Sequence, residues 1–185
     1  PAGLTSHDVV DQVRVLSGER TVGHAGTLDP FATGLLIVGV GRAATKRLAE
    51  FLSFEKEYLA DARLDGFSST GDLTGAVTPL SAINPPSKTE IENIFKNFLG
   101  VQEQIPPMYS AKKVGGEKLY ELARRGETIV RQPAVITVHE LTLLYYDYPR
   151  LEFRVRVSSG TYIRTLAEDI GKKLIRYHIY KIIHI

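Results

Sequence analysis

The stretch RLEFRVRVSSGTYIRTLAEDIGKKL (residues 150–174) changes from the period of a strand to that of a helix. Every second residue of its first part is apolar, which is typical of a half-solvated strand. These residues are Leu151, Phe153, Val155 and Val157. Its last part places apolar residues on one face of a helix. They are Ile163, Leu166, Ala167 and Ile170. We therefore predict a strand followed by a helix, each with an apolar face.

Further helices and strands are mixed along the chain without a regular βαβ cadence. EYLADARLD (57–65) alternates like a half-solvated strand, and AVITVHELTLLYY (134–146) predicts a strand or a strand pair. Ser87 and Glu90 form a capping box at the start of a helix that Gly100 ends. The mixture predicts an α+β fold, with a mixed, largely antiparallel sheet flanked by helices.

Two other segments give specific structural expectations. A helix that Thr5 or Ser6 can cap has one apolar face. The members of that face are Val9, Val10, Val13 and Leu16. EQIPPMYSAKKVGG (103–116) predicts a long irregular loop, because its two prolines remove hydrogen-bond donors and its two glycines loosen the chain.

Composition places limits on the class of protein. The chain has 185 residues, 43% hydrophobic and 24% charged, which suits one globular domain. It contains no cysteine, so disulfides and thiolate metal sites are excluded. No apolar stretch approaches the roughly 20 residues that span a bilayer, and no signal peptide opens the chain. We expect a cytoplasmic monomer with no membrane partner. Because residue 1 is proline, we also expect the true N-terminus to be missing.

The charge is small overall but unevenly distributed. The net charge is +2, yet residues 109–131 contain six basic and three acidic residues. From Lys172 to the end there are four basic residues and no acidic side chain. Such clusters suit contacts with phosphates, although solvated helix faces produce them too, so charge favours a nucleic acid only slightly.

GHAGTLDPFATGLL (23–36) places a carboxylate in an unusual setting. Pro30 restricts Asp29 to an extended backbone, and Gly26 permits an unusual turn, so a stiff loop would hold the carboxylate in place. A catalytic role is one interpretation, and an Asx-turn, which local evidence alone favours, is the other. His24 is likewise either a turn residue or a base. No second histidine lies nearby, so we expect no metal site.

IVGVGRAAT (37–45) resembles a dinucleotide-binding fingerprint. Gly39, Gly41 and Ala44 fit G-x-G-x-x-A, and Asp61 follows about 20 residues later. However, Asp61 falls inside an alternating strand, and no further βαβ units follow. A nucleotide cofactor is therefore the weaker hypothesis for this segment.

Three other side chains could carry chemistry. Asp72 lies between two glycines in STGDLTG (69–75), as a turn, a weak cation site or a group facing Asp29. Tyr58 starts a strand, as a core aromatic or as a platform on which a base stacks. Arg164 lies in an apolar helix face and needs a carboxylate partner if it is buried, which Asp29 could be.

Six segments, taken in order, resemble the TruB-type tRNA pseudouridine synthases (tRNA pseudouridine 55 synthase). They are PAGLTSHDVV (1–10), the segment 23–45 with an extra alanine at 43 or 44, KEYLADARL (56–64), STGDLTG (69–75), QIPPMYSAKKVGGEKLYELARRG (104–126) and SSGTYIRTLAEDIG (158–171). Six ordered matches are far less likely to arise by chance than one. The resemblance implies a pseudouridine synthase catalytic fold over residues 1–174, and it removes the dinucleotide interpretation.

The resemblance also implies an activity. A uridine in the T-loop of tRNA, at tRNA position 55, would be isomerised to pseudouridine through the catalytic carboxylate of Asp29. No metal, nucleotide or redox cofactor would be needed, because one bond of the same base is broken and another is made. Whether Asp29 attacks the ribose C1′, promotes a glycal-type elimination or adds to C6 of the base stays open.

The family's motifs assign further roles in this sequence. Tyr58 would stack on the extruded base, and Arg164 would pair with Asp29 and keep it ionised. Asp72 and Tyr162 would line the base pocket, and His24 would fill the space that the base leaves in the RNA loop. Other basic residues would contact phosphates of the T-arm. They are Arg42, Lys46, Arg47, Lys112 and Lys113.

The end of the chain departs from the family's pattern. IRYHIYKIIHI (175–185) matches neither the family's C-terminal region nor its small RNA-binding domain, and we expect both to be absent. The alternative function is therefore a catalytically impaired, tRNA-binding fragment of such an enzyme.

Overall fold

A computed structural model describes residues 1–72, 75–80 and 84–174. They divide into two compact units, Pro1–Lys56 and the described residues from Glu57 on. The sequence limits 1–174 of a catalytic domain stay a prediction, and the predicted atypical tail (175–185) lies outside the described residues. Within the described residues, every helix falls short of the length and apolarity that crossing a bilayer requires.

Unit 1 (Pro1–Lys56) is a small hairpin with two helices. Its elements are α1 (Ser6–Ser17), β1 (Val22–Ala25), β2 (Ile37–Val40) and α2 (Gly41–Leu52). Thr5 caps α1 through a capping box with Asp8. β1 and β2 pair antiparallel, from Val22 opposite Val40 to Ala25 opposite Ile37. An antiparallel hairpin is not a βαβ unit, so the dinucleotide interpretation of residues 37–45 is wrong.

The predicted apolar face of α1 is only partly covered. Val10 is buried, but Leu16, at the far end of the helix, is 86% exposed. α2 has no fully buried residue. Helical periodicity therefore predicted α1 correctly but overestimated how much of its apolar surface is covered.

Unit 2 (the described residues from Glu57 on) contains a four-stranded sheet with helices and short hairpins. Its elements, the first of which begins at the unit boundary, are β3 (Lys56–Arg63), β4 (Gly66–Ser68), β5 (Val77–Pro79), α3 (Lys88–Lys96), β6 (Gly100–Gln104), β7 (Lys113–Val114), β8 (Glu117–Lys118), α4 (Leu119–Arg124), β9 (Ala134–Asp147), β10 (Arg150–Val157) and α5 (Ile163–Leu174). The strand order is β3-β10-β9-β6. β9 pairs antiparallel with both β10 and β6. The capping box of Ser87 and Glu90 starts α3 as predicted, but α3 ends at Lys96, before Gly100, which is the first residue of β6.

The core of unit 2 is built on the faces that the sequence predicts. The four alternating apolar residues of β10 are all buried, and so are the four predicted residues of α5. Phe95 of α3 meets Phe153 edge to face, with 5.7 Å between the ring centroids. This packing confirms the α+β fold with an antiparallel sheet.

Unit 2 has irregular geometry in two places, the β9–β10 ladder and the loop 103–116. The long β9–β10 ladder contains two register shifts. At each of them β9 has one extra residue, which is His139 or Leu144. The predicted irregular loop 103–116 ends in a short hairpin of β7 and β8. Gly115 and Gly116 both have positive φ (61° and 92°), so they form a tight turn instead of loosening the chain.

Candidate active site

Arg164 is the central charged side chain of the site in unit 2. It is the second residue of α5, and it is only 6% exposed. Its Nη1 donates to the carbonyl oxygen of Thr70 at 2.9 Å, and its Nη2 donates to that of Tyr109 at 2.7 Å. The buried guanidinium therefore ties two loops to the first turn of α5, as a planar fork with several donors can.

Asp72 lies next to Arg164. Its Oδ2 is 4.0 Å from Arg164 Nη1, and both side chains are more than nine-tenths buried. Its Oδ1 accepts a hydrogen bond from Thr70 Oγ1 at 2.7 Å. A buried carboxylate needs such partners because burial removes its hydration. The structure thus brings two of the predicted residues together, with Thr70 linking them.

The turn that carries Asp72 depends on Gly75. A Cβ on Gly75 would lie 2.4 Å from Thr70 Oγ1 and 2.7 Å from Ser68 Oγ, so a side chain there would displace the hydroxyl cluster. Thr70 binds both Arg164 and Asp72. Gly75 therefore supports the site indirectly, because it leaves room for the Thr70 hydroxyl group.

Tyr162 is held by Gln104, a residue that sequence reasoning missed. Tyr162 N donates to Gln104 Oε1 at 2.8 Å, and Gln104 Nε2 donates to Tyr162 O at 3.0 Å. Gln104 ends β6 and is 3% exposed. No local pattern in the sequence marks Gln104, and only its burial in the structure shows that its carboxamide requires partners.

A pocket of about 260 Å³ lies beside Arg164. Its walls include the turn 67–71, Pro107, Tyr109 and Arg131, with Thr165 and Glu168 of α5. Aromatic, hydroxyl and charged groups together can hold a polar planar ligand. Tyr58 lies elsewhere, half-buried on β3, on the same side of the strand as the buried Ala60 and Ala62.

Asp29 lies in unit 1, on a loop whose backbone is held from both sides. Gly3 N donates to Pro30 O at 2.7 Å, and Leu28 N donates to Ser6 Oγ at 3.0 Å. Ser6 is buried, and Ala32 N closes a turn by donating to Asp29 O at 2.9 Å. The loop is therefore ordered, as the sequence suggested, but Gly3 and Ser6 hold it in addition to Pro30 and Gly26. The pairing of Asp29 with Arg164 stays a prediction.

His24 is engaged within the same loop. Its Nδ1 is 2.6 Å from the carbonyl oxygen of Gly26. Because a carbonyl oxygen only accepts, Nδ1 carries the proton, and Nε2 is the acceptor of the neutral ring. The ring orientation is thus fixed by the backbone, which suits a role that depends on shape.

The predicted phosphate contacts differ in how available their charges are. Arg47 pairs with Glu50, with 3.1 Å between Nη2 and Oε2. This hydrogen-bonded pair raises the pKa of Arg47 and lowers that of Glu50. The other four predicted cations make no ion pair with any other residue that the structure describes. They are Arg42, Lys46, Lys112 and Lys113, and all are exposed.

The site contains no obvious metal centre. Among residues 1–72, 75–80 and 84–174, no group of three or more His, Cys, Asp or Glu side chains is arranged to hold a metal ion.

Comparisons with known sequences identify the family to which the chain is similar. Residues 14–163 match the model of "TruB family pseudouridylate synthase (N terminal domain)". The chain is 48% identical over 174 residues to "tRNA pseudouridine synthase B" of Protochlamydia amoebophila, covering 94% of this chain and 66% of that protein. It is 47% identical over 175 residues to the protein of the same name from Thermosipho melanesiensis, covering 94% and 57%. The Desulfotalea psychrophila protein of that name is 46% identical over 179 residues, covering 94% and 73%.

Solved structures agree with the sequence comparisons. A chain of the structure "Crystal Structure of a Cbf5-Nop10-Gar1 Complex" superposes with a TM-score of 0.72 at 27% identity, covering 99% of this chain and 44% of that one. A chain of "Crystal structure of the archaeal box H/ACA sRNP Nop10-Cbf5 complex" gives a TM-score of 0.64 at 26% identity, covering 99% and 42%. The chain spans 66% and 57% of the first two sequence relatives above. The predicted fold and the family resemblance are both confirmed.

Proposed function

The chain belongs to the TruB family of pseudouridylate synthases, and we propose that it converts a uridine of tRNA to pseudouridine. The observation that carries this proposal is the match of 94% of the chain to relatives named tRNA pseudouridine synthase B. The target would be the T-loop uridine at tRNA position 55, reached through contacts with the T-arm. The protein would act as a monomer in the cytoplasm.

The reaction requires no change in oxidation state. The bond between N1 of the base and C1′ of the ribose breaks, and a bond between C5 and C1′ forms. The proton on C5 is lost, and N1 gains one. Asp29 is the proposed nucleophile, because a carboxylate can form an intermediate that keeps the detached fragment in place. No cofactor is needed for this balance.

Arg164 supports a carboxylate nucleophile. A guanidinium in a buried position favours a nearby anion, and it keeps a paired carboxylate ionised. A guanidinium can donate to several acceptors at once, and the acceptors of Arg164 include the carbonyl oxygens of Thr70 and Tyr109. We therefore assign to Arg164 the pairing with Asp29 that the family's motifs imply, in addition to its 4.0 Å approach to Asp72.

The remaining roles concern the base and the RNA backbone. The uridine must leave its stack, which costs a few kcal/mol, and a pocket must compensate this cost. Tyr58 would stack on the base, and Tyr162 and Asp72 would line its pocket. His24 would fill the space left in the RNA loop. The exposed cations Arg42, Lys46, Lys112 and Lys113 would contact phosphates more than Arg47, since Glu50 already pairs with Arg47.

The test is the release of tritium from C5 of uridine in an unmodified tRNA transcript. The wild-type chain should release tritium, and Asp29→Asn should reduce the rate by at least about 10³-fold, because the amide lacks the nucleophile. The matched control is Asp11→Asn, an exposed carboxylate of the same unit that pairs with Arg14. Ordinary turnover by Asp29→Asn would exclude Asp29 as the nucleophile. Binding of tRNA without any release by the wild-type chain would instead fit the impaired-fragment alternative.

A further inference from the structure

The side-chain carboxamide of Gln104 makes two hydrogen bonds with the backbone of Tyr162. Its carboxamide oxygen accepts from Tyr162 N at 2.8 Å, and its carboxamide nitrogen donates to Tyr162 O at 3.0 Å. With 3% exposure, Gln104 makes this pair away from water, where each hydrogen bond is costly to lose. The side chain thus fixes both the position and the direction of one backbone unit.

That backbone unit is the start of α5. Tyr162 O also accepts the first hydrogen bond of the helix, from Leu166 N at 3.0 Å. The N–H groups at a helix start have no partner within the helix, and the Tyr162 N–H is satisfied by Gln104 instead. Gln104 therefore holds the residue that immediately precedes α5, two residues before Arg164.

The chain that follows Gln104 holds the same helical turn a second time. Tyr109 O accepts from Arg164 Nη2 at 2.7 Å. The segment between them is anchored by Arg131, whose Nη1 donates to Pro106 O at 3.1 Å. Residues 104–109 thus bind the start of α5 at two points, the backbone of Tyr162 and the guanidinium group of Arg164.

We infer that Gln104 is a positioning residue for uridine isomerisation, whose carboxamide sets the orientation of Tyr162, a proposed base-pocket residue, and of Arg164, which lines the pocket beside the turn 67–71. This inference rests on the proposed function. It assigns no contact between Gln104 and the RNA. A rotation of the first turn of α5 would move Tyr162 and Arg164 together. Losing the two hydrogen bonds of Gln104 should therefore lower the chemical rate more than RNA affinity.

The sharpest variant is Gln104→Glu. A protonated carboxyl group has one donor and one acceptor, as the carboxamide does here, so it can reproduce both hydrogen bonds to Tyr162. The carboxylate cannot donate to Tyr162 O and would repel it. Burial raises the pKa of a carboxyl group, so this change falls within the pH range in which the enzyme can be assayed. The charged side chains tied to Gln104 through these contacts include Arg164, Asp72 and Arg131. α5 adds Glu168, Asp169, Lys172 and Lys173, and the variant leaves all of these in place.

The measurement is the single-turnover rate of pseudouridine formation for Gln104→Glu divided by that of wild type, from about pH 5.5 to pH 8. We expect the ratio to be near 1 at the acid end and to fall by about 10- to 100-fold at the alkaline end, since small misplacements of reacting groups cost this much. The Kd for the tRNA transcript should change by less than about 3-fold over the same range. Circular dichroism at each pH shows whether the variant remains folded.

The matched control is Gln102→Glu. Gln102 lies on the same strand two residues earlier, and its Nε2 makes a long contact of 3.5 Å to Leu99 O. Its ratio to wild type should stay flat with pH. If Gln104→Glu does not fold, Gln104→Met keeps the volume without the hydrogen bonds, and it should lower kcat by at least about 10-fold while KM changes little.

Each outcome has a distinct meaning. An active wild type beside a flat ratio for Gln104→Glu, or an unchanged kcat for Gln104→Met, would overturn the role of Gln104 alone. A loss of rate that follows the loss of RNA binding or of folded protein would also overturn it. An inactive wild type would contradict the proposed function itself.

Discussion

Asp29 lies on a loop that backbone hydrogen bonds hold in unit 1, whereas Arg164 lies on a helix that is packed into the core of unit 2. Among the described residues, the buried hydrophobic side chains of unit 1 are Val10, Val22 and Ala32. In unit 2, by contrast, seven of the twelve residues of α5 are buried. The two residues of the proposed ion pair are therefore positioned by different means. Turn geometry positions Asp29, and burial of α5 positions Arg164.

The difference separates activity from stability. A change at Asp29 removes a proposed nucleophile from a loop and should leave the core of unit 1 intact. A change at the buried Arg164 removes its hydrogen bonds to the carbonyl oxygens of Thr70 and Tyr109, so it should affect both the reaction and the fold. Measuring both the single-turnover rate and the free energy of unfolding therefore separates the two effects.

The largest combined effect is expected for Arg164→Lys. An ammonium cannot reproduce the planar fork that reaches Thr70 O and Tyr109 O. We expect the single-turnover rate to fall by about 10²-fold and the free energy of unfolding by about 1–3 kcal/mol. Urea denaturation and single-turnover assays measure these quantities. Arg154→Lys, at an exposed position of β10, is the control and should change neither. An unchanged rate for Arg164→Lys would argue against the proposed ion pair.

Stability alone should distinguish the helices of the two units. Leu166 of α5 is 2% exposed, whereas Leu16 of α1 is 86% exposed. Leu166→Ala should lower the free energy of unfolding by about 2–5 kcal/mol through the cavity that it leaves. Leu16→Ala should change that free energy by less than about 0.5 kcal/mol. Similar losses for both variants would show that Leu16 is covered in solution.

The smallest effect is expected where a hydroxyl group supports the Asp29 loop. Ser6→Ala removes the acceptor of Leu28 N, so the free energy of unfolding should fall by about 1–3 kcal/mol, and the single-turnover rate should fall several-fold. Ser17→Ala is the matched control, because Ser17 lies on the same helix but its hydroxyl group bonds Val13 O and Glu19 N and not the Asp29 loop. A loss of rate as large for Ser17→Ala as for Ser6→Ala would show that the loop does not depend on Ser6.

Much of the fold was predictable because one-sided burial leaves a period in the sequence. β10, α3 and α5 of unit 2 form as predicted, since each has one face against a core large enough to cover it. The same reasoning failed at Leu16, because periodicity reports which residues share a face and not whether anything covers it. It also failed at Gly115 and Gly116, where freedom of the backbone produces a tight turn.

The candidate site was predictable only in part. Asp72 and Arg164 were chosen by residue type and motif, and the structure brings them together. Gln104 lies 58 residues before its partner Tyr162, and no local pattern relates a glutamine to a distant backbone unit. The support of the Asp29 loop by Ser6 was missed for the same reason, since 22 residues separate Ser6 from Leu28.

The two register shifts in the β9–β10 ladder predict where the gene could lose a codon without disrupting the sheet. His139 and Leu144 are the extra residues of β9, and both are exposed. Deleting either one would leave every other pair of the ladder in place and would produce a more regular strand. Deleting a paired residue such as Thr142 would instead turn part of the strand over and expose its apolar side chains. Related genes should therefore vary in length at these two codons while keeping the length of β10 constant.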